Sequence, residues 1–162
     1  MLLLLYKRLW TVLIVYVMQH TKGRGSSMAN KTHTKTKPVA VVYVAAPWVH
    51  REAAKKFRDD LVARGVEVTS RWLDFHGDST DPMILRREAQ HDWDDVKRAE
   101  ALIVLNLTKS EGKATEQGLA LQMGKKIIGV GKPKNNIFHY LPQYTWVDDI
   151  VGVINLLTDP NF

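Results

Sequence analysis

The sequence predicts an α/β fold: a three-layer doubly wound (flavodoxin/Rossmann-like) sandwich with a parallel sheet of four to five strands. Short runs rich in Val and Ile alternate with longer amphipathic segments, which is typical of βαβ units with right-handed crossovers. The chain of 162 residues is also long enough for one domain with a hydrophobic core and too short for two ordinary domains.

The first half of the domain contains two predicted strands and two predicted helices. Val39–Ala45 is a near-continuous β-branched run, as in strands buried on both faces, and Pro47 ends it. His50–Arg64 places apolar residues on one helical face, and Gly65 follows as a C-terminal stop. We expect a second strand over Val66–Leu73, a loop over Asp74–Pro82 and a long polar helix over Met83–Ala99.

The second half repeats this pattern with shorter segments. Its elements in order are strand Ala101–Leu107, loop Thr108–Lys113, helix Ala114–Met123, strand Lys126–Val130, loop Gly131–Asn136, a short strand Tyr144–Val147 and a terminal helix Asp148–Leu157. Ligands of such folds bind at the carboxyl ends of the strands. We therefore expect functional residues near the loops that follow Ala45, Leu73, Leu107 and Val130.

The basic charge of the chain lies mainly in a leader, residues 1–37, ahead of the domain at 38–162. The leader holds seven of the 23 Lys and Arg residues and none of the 17 acids, so the net charge of +6 does not predict nucleic-acid binding by the domain. Its apolar run Leu9–Met18 is shorter than the roughly 20 residues of a membrane helix. Three interpretations stay open: translation that begins at Met28, a membrane tether, or a signal peptide. We expect Gly23–Lys37 to be a disordered linker.

Several other chemistries lack the residues that they need. The chain has no cysteine, which excludes a disulfide framework, a Cys-ligated zinc site and thiol catalysis. Gly118–Lys125 departs from a phosphate-binding P-loop in spacing and lies within a predicted helix. The Asp residues that follow His91 do not share one helical face, which favours a solvated acidic surface over a metal site. We therefore expect no metal and no cofactor.

Three segments remain that could perform chemistry, each at a strand's carboxyl end or on a nearby helix. They are Tyr43–Trp48, which closes the first strand, Asp92 in the helix before the third strand, and Asn106–Gly118, in which Glu116 lies 24 positions after Asp92. In this order the residues resemble the nucleoside 2-deoxyribosyltransferases and their relatives, the 2′-deoxynucleoside 5′-phosphate N-hydrolases, especially phage and bacterial members. The matching positions are Tyr43, Ala45, Ala46, Trp48, Asp92, Trp93, Val96, Ala99, Glu100, Gly112, Glu116, Gly118, Ala120, Gly124 and Lys125.

The resemblance spans about residues 39–157, with a few departures. Ala46 and Pro47 stand where the family has smaller residues or glycine, which would stiffen the loop over the base. Glu100 replaces the usual Asp at a helix end, and Ala114 stands near a common Gly at the approach to the sugar.

The resemblance implies roles for eight residues. Glu116 is expected to attack the anomeric carbon of the sugar and form a covalent ester. Independently of the resemblance, its predicted position near a helix start favours the ionised carboxylate. Asp92 is expected to protonate the leaving base, with a pKa raised by the Glu116 charge, and Tyr43 to hold the Glu116 carboxylate. The expected substrate contacts are Ala45, Trp48, Ser110, Glu111 and Gly112, with Trp48 stacking on the base.

The acceptor of the sugar stays open. The first hypothesis is transfer of deoxyribose to another base, the second is hydrolysis of a deoxynucleoside 5′-monophosphate, and the third is a non-catalytic nucleotide-binding domain. Ser110, six positions before Glu116, favours a phosphate, whereas Glu111 favours a free 5′-hydroxyl. Of these three hypotheses we favour the transferase.

The resemblance also implies partners and a location. We expect a small-molecule substrate (a deoxynucleoside or deoxynucleotide, with a free base), no nucleic acid, no membrane for the domain, and a cytoplasmic role in nucleotide salvage. We further expect a homo-oligomer in which His139–Pro142 contributes to the site of a neighbouring subunit.

Overall fold

The computed structural model describes residues 40–75, 77, 79–134 and 136–162, so the leader and its three interpretations lie outside the described residues. The strands within these ranges are β1 (Val41–Ala45), β2 (Glu67–Val68), β3 (Ala101–Leu105), β4 (Lys126–Val130) and β5 (Tyr144–Val147). The helices are α1 (Arg51–Val62), α2 (Pro82–Arg98), α3 (Glu111–Gln122) and α4 (Ile150–Thr158). Each of these helices is too short or too polar to cross a bilayer.

All five strands of the described sheet are parallel and lie in the order β2-β1-β3-β4-β5. The predicted fold class is therefore confirmed, with the weakly patterned Tyr144–Val147 as the fifth strand. The direction in which strands are added reverses between β1 and β3. Doubly wound folds bind their ligands at such a switch point, outside the carboxyl ends of the strands.

Helices cover both faces of the sheet. The helices α2 and α3 pack against each other and both contact β1, whereas α1 and α4 contact each other on the opposite face. Every residue of β3 is buried, as are Val42–Ala45 of β1, which explains why both strands are continuous apolar runs. Tyr43 faces α2 and α3, because its hydroxyl group reaches Glu116 on α3.

The second strand is shorter than its sequence pattern predicts. The prediction of a strand over Val66–Leu73 is wrong beyond Val68, since the chain forms a 3₁₀ turn at Arg71–Asp74. Beyond Val68, side chains take the place of backbone hydrogen bonds to β1. The Ser70 Oγ accepts a 2.6 Å hydrogen bond from the amide of Val44, and the Trp72 Nε1 donates to the Val44 carbonyl at 3.0 Å. The apolar pattern of this segment therefore reflects burial against β1 and not strand pairing.

Helix α3 begins three residues earlier than predicted. The sequence pattern predicts a loop over Thr108–Lys113 and a helix from Ala114, but the helix begins at Glu111. Ser110 is its N-cap, and the Ser110 Oγ accepts from the amide of Lys113 at 3.3 Å. Glu116 is consequently the sixth residue of the helix and not a first-turn residue.

Gly124 and Lys125, which match the family pattern, have structural roles. Gly124 follows α3 with φ of 66°, a left-handed conformation that favours glycine. The Lys125 ammonium donates to the carbonyls of Lys97, at 3.0 Å, and of Ala99. These bonds join the end of α2 to the start of β4, so both residues stabilise the scaffold that holds the site.

Candidate active site

The structure brings Tyr43 and Glu116 into direct contact. Tyr43 is the central residue of β1 and is fully buried, and its hydroxyl group donates a 2.6 Å hydrogen bond to the Glu116 Oε1. Burial raises the pKa of Tyr43 well above its ordinary value, and the negative charges of Glu116 and Asp92 raise it further. Tyr43 therefore stays protonated and remains a hydrogen-bond donor to the carboxyl group.

The second oxygen of Glu116 is buried and has no hydrogen-bond partner among the described residues. Burial raises the pKa of Glu116 to about 8, and the charge of Asp92 adds to the rise. The Tyr43 hydroxyl and the charge of Lys113 act in the opposite direction. The expected benefit from helix-start amide groups does not apply, because the helix dipole acts mainly within the first turn and Glu116 lies beyond it.

Asp92, on α2, is the second acid of the site. Its Oδ1 is also buried without a partner in the described part of the chain. Its pKa is raised to about 6, as expected, although the largest cause is burial and not the charge of Glu116. The hydroxyl of Tyr43 opposes this rise, while Asp95 and Glu88 add to it. Two carboxyl groups with unpartnered buried oxygens thus interact with the same tyrosine hydroxyl.

The acidic surface predicted after His91 is only partly solvated. Asp95 has 1% of its side chain exposed, and its carboxylate accepts from the backbone amide and the guanidinium of Arg71 at 2.9 Å. The prediction of a solvated face is therefore wrong for Asp95, which anchors the turn after β2, and correct for the exposed Asp94. Among the described residues, no cluster of His, Asp and Glu side chains is suited to hold a metal ion.

Trp48 lies on an aromatic cluster at the end of β1. Trp48 is 45% exposed, and its ring centroid lies 6.2 Å from those of both Trp72 and Phe75. The Arg51 guanidinium lies 4.6 Å from the Trp48 ring centroid. Ala45 is fully buried within β1, so its side chain belongs to the core.

Ser110, Glu111 and Gly112 form the start of α3. The Ser110 hydroxyl is occupied by its bond to the Lys113 amide, while Glu111 and Gly112 are exposed in the first turn. Backbone amide groups at the start of a helix favour anionic ligands. These three residues lie one to two turns before Glu116 on the same helix.

The sequence predicts Lys113, with Lys109 and Arg71, only as a cation that could compensate for a missing Gly- and Ser-rich phosphate loop, and the structure buries it. The side chain is 5% exposed, and its ammonium donates to the Thr108 carbonyl at 2.8 Å and to the Asn106 Oδ1 at 3.3 Å. Burial lowers the pKa of Lys113 to about 8, and the nearby charge of Lys134 lowers it further. The predicted loop Thr108–Lys113 placed Lys113 outside the helix that carries Glu116, so the sequence pattern gave no sign that the two share a helix.

His139 is the buried member of an aromatic cluster in its own chain. It is 5% exposed, and its ring centroid lies 5.4 Å from that of Tyr144 and 5.1 Å from that of Trp146. The Tyr144 hydroxyl donates to the Gln117 Oε1 at 2.9 Å, which connects this cluster to α3. The neighbouring residues Ile137, Phe138 and Tyr140 are exposed. A contribution of His139–Pro142 to a neighbouring subunit stays a prediction.

The fold resembles those of two solved enzyme structures. A 2-deoxyribosyltransferase from the psychrotolerant bacterium Bacillus psychrosaccharolyticus matches with a TM-score of 0.51 and 17% sequence identity, over 72% of this chain and 91% of that chain. The chain shares the fold of this 2-deoxyribosyltransferase. A CMP N-glycosidase of Clostridium botulinum, BcmB, matches with a TM-score of 0.48 and 23% identity, over 72% of this chain and 97% of that chain. No family model and no curated protein matches the sequence.

The resemblance predicted from the sequence motifs is therefore confirmed at the level of the fold. Within this fold, Tyr43, Asp92 and Glu116 converge on one point between β1, α2 and α3. Trp48 joins a separate aromatic cluster, and Ser110 to Gly112 form the start of α3.

Proposed function

We propose that the chain cleaves the N-glycosidic bond of 2′-deoxyribonucleosides and transfers the deoxyribose to another base through an ester on Glu116. The main support is the hydrogen bond from the Tyr43 hydroxyl to the Glu116 carboxyl. The pKa of this carboxyl is raised, as is that of Asp92, which interacts with the same hydroxyl. The fold shared with a 2-deoxyribosyltransferase gives further support.

The two carboxyl groups divide the work of the first step. An oxygen of the Glu116 carboxylate forms a bond to C1′ of the sugar while the bond from C1′ to the base nitrogen breaks, and the electron pair leaves with the base. Asp92 gives its proton to that nitrogen, so the base departs neutral. The ester on Glu116 removes the positive charge that would otherwise develop on the sugar.

This step requires one proton on the pair of acids. The pKa values of about 6 and about 8 mean that the pair holds a single proton between these pH values. The higher pKa of Glu116 places this proton mainly on Glu116 in the free enzyme, so the proton must pass to Asp92 before attack. The Tyr43 hydroxyl donates to Glu116 and stabilises its carboxylate once the proton has moved. The singly protonated pair is therefore the form that reacts.

The second step reverses the roles. A nitrogen of the incoming base attacks C1′, the bond from C1′ to Glu116 breaks, and the carboxylate is regenerated. Asp92, now ionised, accepts the proton that the incoming base releases. A new nucleoside is formed, and the enzyme returns to its starting protonation state.

The alternative function is hydrolysis of a deoxynucleoside 5′-monophosphate, in which water replaces the second base. The observation that favours it is the start of α3, where the exposed Gly112 and the first-turn amides would suit a phosphate group. Glu111, exposed in the same turn, would repel a phosphate and accept a hydrogen bond from a free 5′-hydroxyl. Because Glu111 would repel the phosphate that the first-turn amides would suit, we propose transfer before hydrolysis.

The test is to incubate the full chain with deoxyadenosine or with dAMP, with and without a second base, and to separate the products by chromatography. A new deoxynucleoside that forms only with the second base supports transfer, whereas free adenine from dAMP alone supports the hydrolase. Binding without any product supports a non-catalytic domain. Glu116→Gln should abolish turnover, and the matched control Glu52→Gln, an exposed acid on α1, should not. Full activity of Glu116→Gln would contradict the proposal.

A further inference from the structure

The residues Thr69, Ser70 and Arg71, which we call the bridge segment, connect β1 to α2 through their side chains. The segment begins directly after β2 ends. Thr69 and Ser70 are 1% and 3% exposed, so their hydroxyl groups are buried and need hydrogen-bond partners within the fold. The partners of the bridge segment lie on the two elements that carry Tyr43 and Asp92.

On one side, the bridge segment holds the backbone of β1 both before and after Tyr43. The Thr69 hydroxyl donates to the Val42 carbonyl at 3.2 Å. The Ser70 Oγ accepts from the Val44 amide at 2.6 Å, and its hydroxyl donates to the Val44 carbonyl at 3.2 Å. Because Val42 and Val44 are the immediate neighbours of Tyr43, these bonds fix Tyr43 relative to the bridge segment.

On the other side, the bridge segment holds the turn of α2 that carries Asp92. The Arg71 Nε lies 2.9 Å and 3.0 Å from the two oxygens of the Asp95 carboxylate, and the Nη2 lies 2.9 Å from the Asp95 Oδ1. The same Nη2 donates to the His91 carbonyl at 3.2 Å. The Thr69 hydroxyl also contacts the Asp95 carbonyl, at 3.0 Å. His91 and Asp95 thus anchor the helical turn on both sides of Asp92.

The contact between Arg71 and Asp95 is specific in direction as well as in charge. Asp95 is 1% exposed, and a buried carboxylate needs a partner that satisfies both its charge and its hydrogen bonds. A guanidinium that reaches both carboxylate oxygens restricts the geometry of the pair. The sequence predicts Arg71 only as a cation near a phosphate, whereas the structure bonds its guanidinium to α2.

We propose that Arg71 is a positioning residue that, with Thr69, holds Asp92 against the Tyr43 hydroxyl so that Asp92 can protonate the leaving base. This inference rests on the function proposed above. A general acid acts only within hydrogen-bond reach of its target atom, and a misplacement of about 1 Å can lower a rate about 10²-fold. The Asp92 Oδ1 is buried without a hydrogen-bond partner in the described part of the chain, so its position depends on how this turn of α2 is held.

The kinetic test compares two sugar donors by the rate at which the full chain releases the first base in a single turnover. The base of deoxyguanosine needs a proton to leave as a neutral molecule, whereas 7-methyl-2′-deoxyguanosine carries a positive charge and releases a neutral base without one. Arg71→Met should slow release from deoxyguanosine about tenfold or more, as part of the roughly 10²–10⁴-fold that a general acid supplies. Release from the methylated donor should change by less than about twofold. An equal loss for both donors would assign Arg71 a purely structural role and overturn the inference.

The matched control is Arg98→Met. Arg98 also joins α2 to the region of β2, through a 2.7 Å ion pair with Glu67, but it lies away from the turn that carries Asp92. This variant should release both bases at the wild-type rates. If Arg71→Met leaves Asp95 without a partner and fails to fold, the double variant Arg71→Met/Asp95→Asn removes both charges and is measured in the same way. Equal losses for the two donors in that variant would also refute the inference.

A second test measures the coupling between Tyr43 and Asp92 without turnover. The Asp92 carboxyl is titrated by ¹³C NMR in the full chain with labelled aspartate, and Asp92→Asn assigns its signal. Several charged or titratable groups interact with Asp92, and only one of them changes within each comparison. They are Asp95, Glu88 and His91 from α2, Tyr43 from β1, Glu116 from α3 and Arg71 from the bridge segment.

Tyr43→Phe should move the Asp92 titration to higher pH, because the hydroxyl lowers the pKa of Asp92. The same substitution should move it less when combined with Arg71→Met than when combined with Arg98→Met, since only the first combination loosens the turn of α2. An equal movement in the two combinations, or none in either, would overturn the inference. This readout does not depend on base release, so it separates failure of the inference from failure of the proposed function.

Discussion

Tyr43 and Glu116 lie 73 positions apart in sequence, and a 2.6 Å hydrogen bond joins them. Considered alone, Tyr43 resembles a core aromatic residue and Glu116 resembles an ordinary acid on a helix. Their contact is informative because it places a hydrogen-bond donor on a carboxyl whose other oxygen has no partner among the described residues. Buried polar groups are normally satisfied, and in the proposed mechanism the substrate is the partner of the Glu116 carboxyl.

The Tyr43 hydroxyl should contribute directly to catalysis. Tyr43→Phe removes a hydrogen bond to a charged group, which is worth about 1.5–3 kcal/mol, so kcat/KM should fall roughly tenfold to hundredfold. The acid side of the pH profile should also move to higher pH, because the hydroxyl lowers the pKa of Glu116. Steady-state kinetics over pH measures both effects, with the exposed Tyr140→Phe as control. Equal profiles for Tyr43→Phe and the wild type would contradict this role.

At the scale of a single element, the start of α3 decides the electrostatics of the site. A helix that began at Ala114 would place Glu116 in the first turn, where amide groups favour a carboxylate. The observed start at Glu111 places Glu116 beyond that turn, and burial raises its pKa to about 8. The pattern of apolar residues did not reveal this start, because the first turn contains Glu111, Gly112 and Lys113, none of which is apolar. The same features concealed Lys113 as a buried residue.

The cap of α3 offers a test of whether Ser110 contacts the substrate. Ser110→Ala removes a side-chain cap and should lower the free energy of unfolding by about 1 kcal/mol. Asp149→Ala is the matched control, since Asp149 caps α4 on the opposite face with a 3.0 Å bond to the amide of Gly152. Both variants should lose similar stability in denaturant unfolding. Only Ser110→Ala should raise KM, and an equal KM for the two variants would limit Ser110 to its capping role.

At the scale of the whole molecule, the sheet explains why the site forms where it does. The order β2-β1-β3-β4-β5 makes β1 and β3 neighbours, so Tyr43 on β1 and the α3 helix that follows β3 lie over the same part of the sheet. The alternation of strands and helices was sufficient to predict this architecture. The length of β2 was not predictable in the same way, because Ser70 and Trp72 satisfy the backbone of β1 through their side chains.

The buried carboxyl of Glu116 should make the stability of the whole fold depend on pH. Its pKa is about 8 in the folded chain and 4.5 ordinarily, so the folded state binds the additional proton between these values and stability falls as pH rises through this window. At pH 8, Glu116→Gln should therefore be more stable than the wild type by about 4 kcal/mol, which corresponds to a rise in Tm of roughly 8–16 °C. At about pH 4, below the ordinary pKa of glutamate, the two proteins should unfold at similar temperatures. The measurement is thermal unfolding at both pH values, with Glu52→Gln as the control. A difference in Tm between Glu116→Gln and the wild type that is the same at each pH would contradict this account.

The central claim is that Glu116 forms a covalent bond to the sugar. The most direct measurement is to mix the full chain with a deoxynucleoside in the absence of a second base, quench it in acid, and examine its peptides by mass spectrometry. The account predicts that the peptide containing Glu116 gains the mass of one deoxyribosyl group and that Glu116→Gln gains none. Release of free base with no adduct on the wild-type peptide, or an adduct on Asp92, would contradict it.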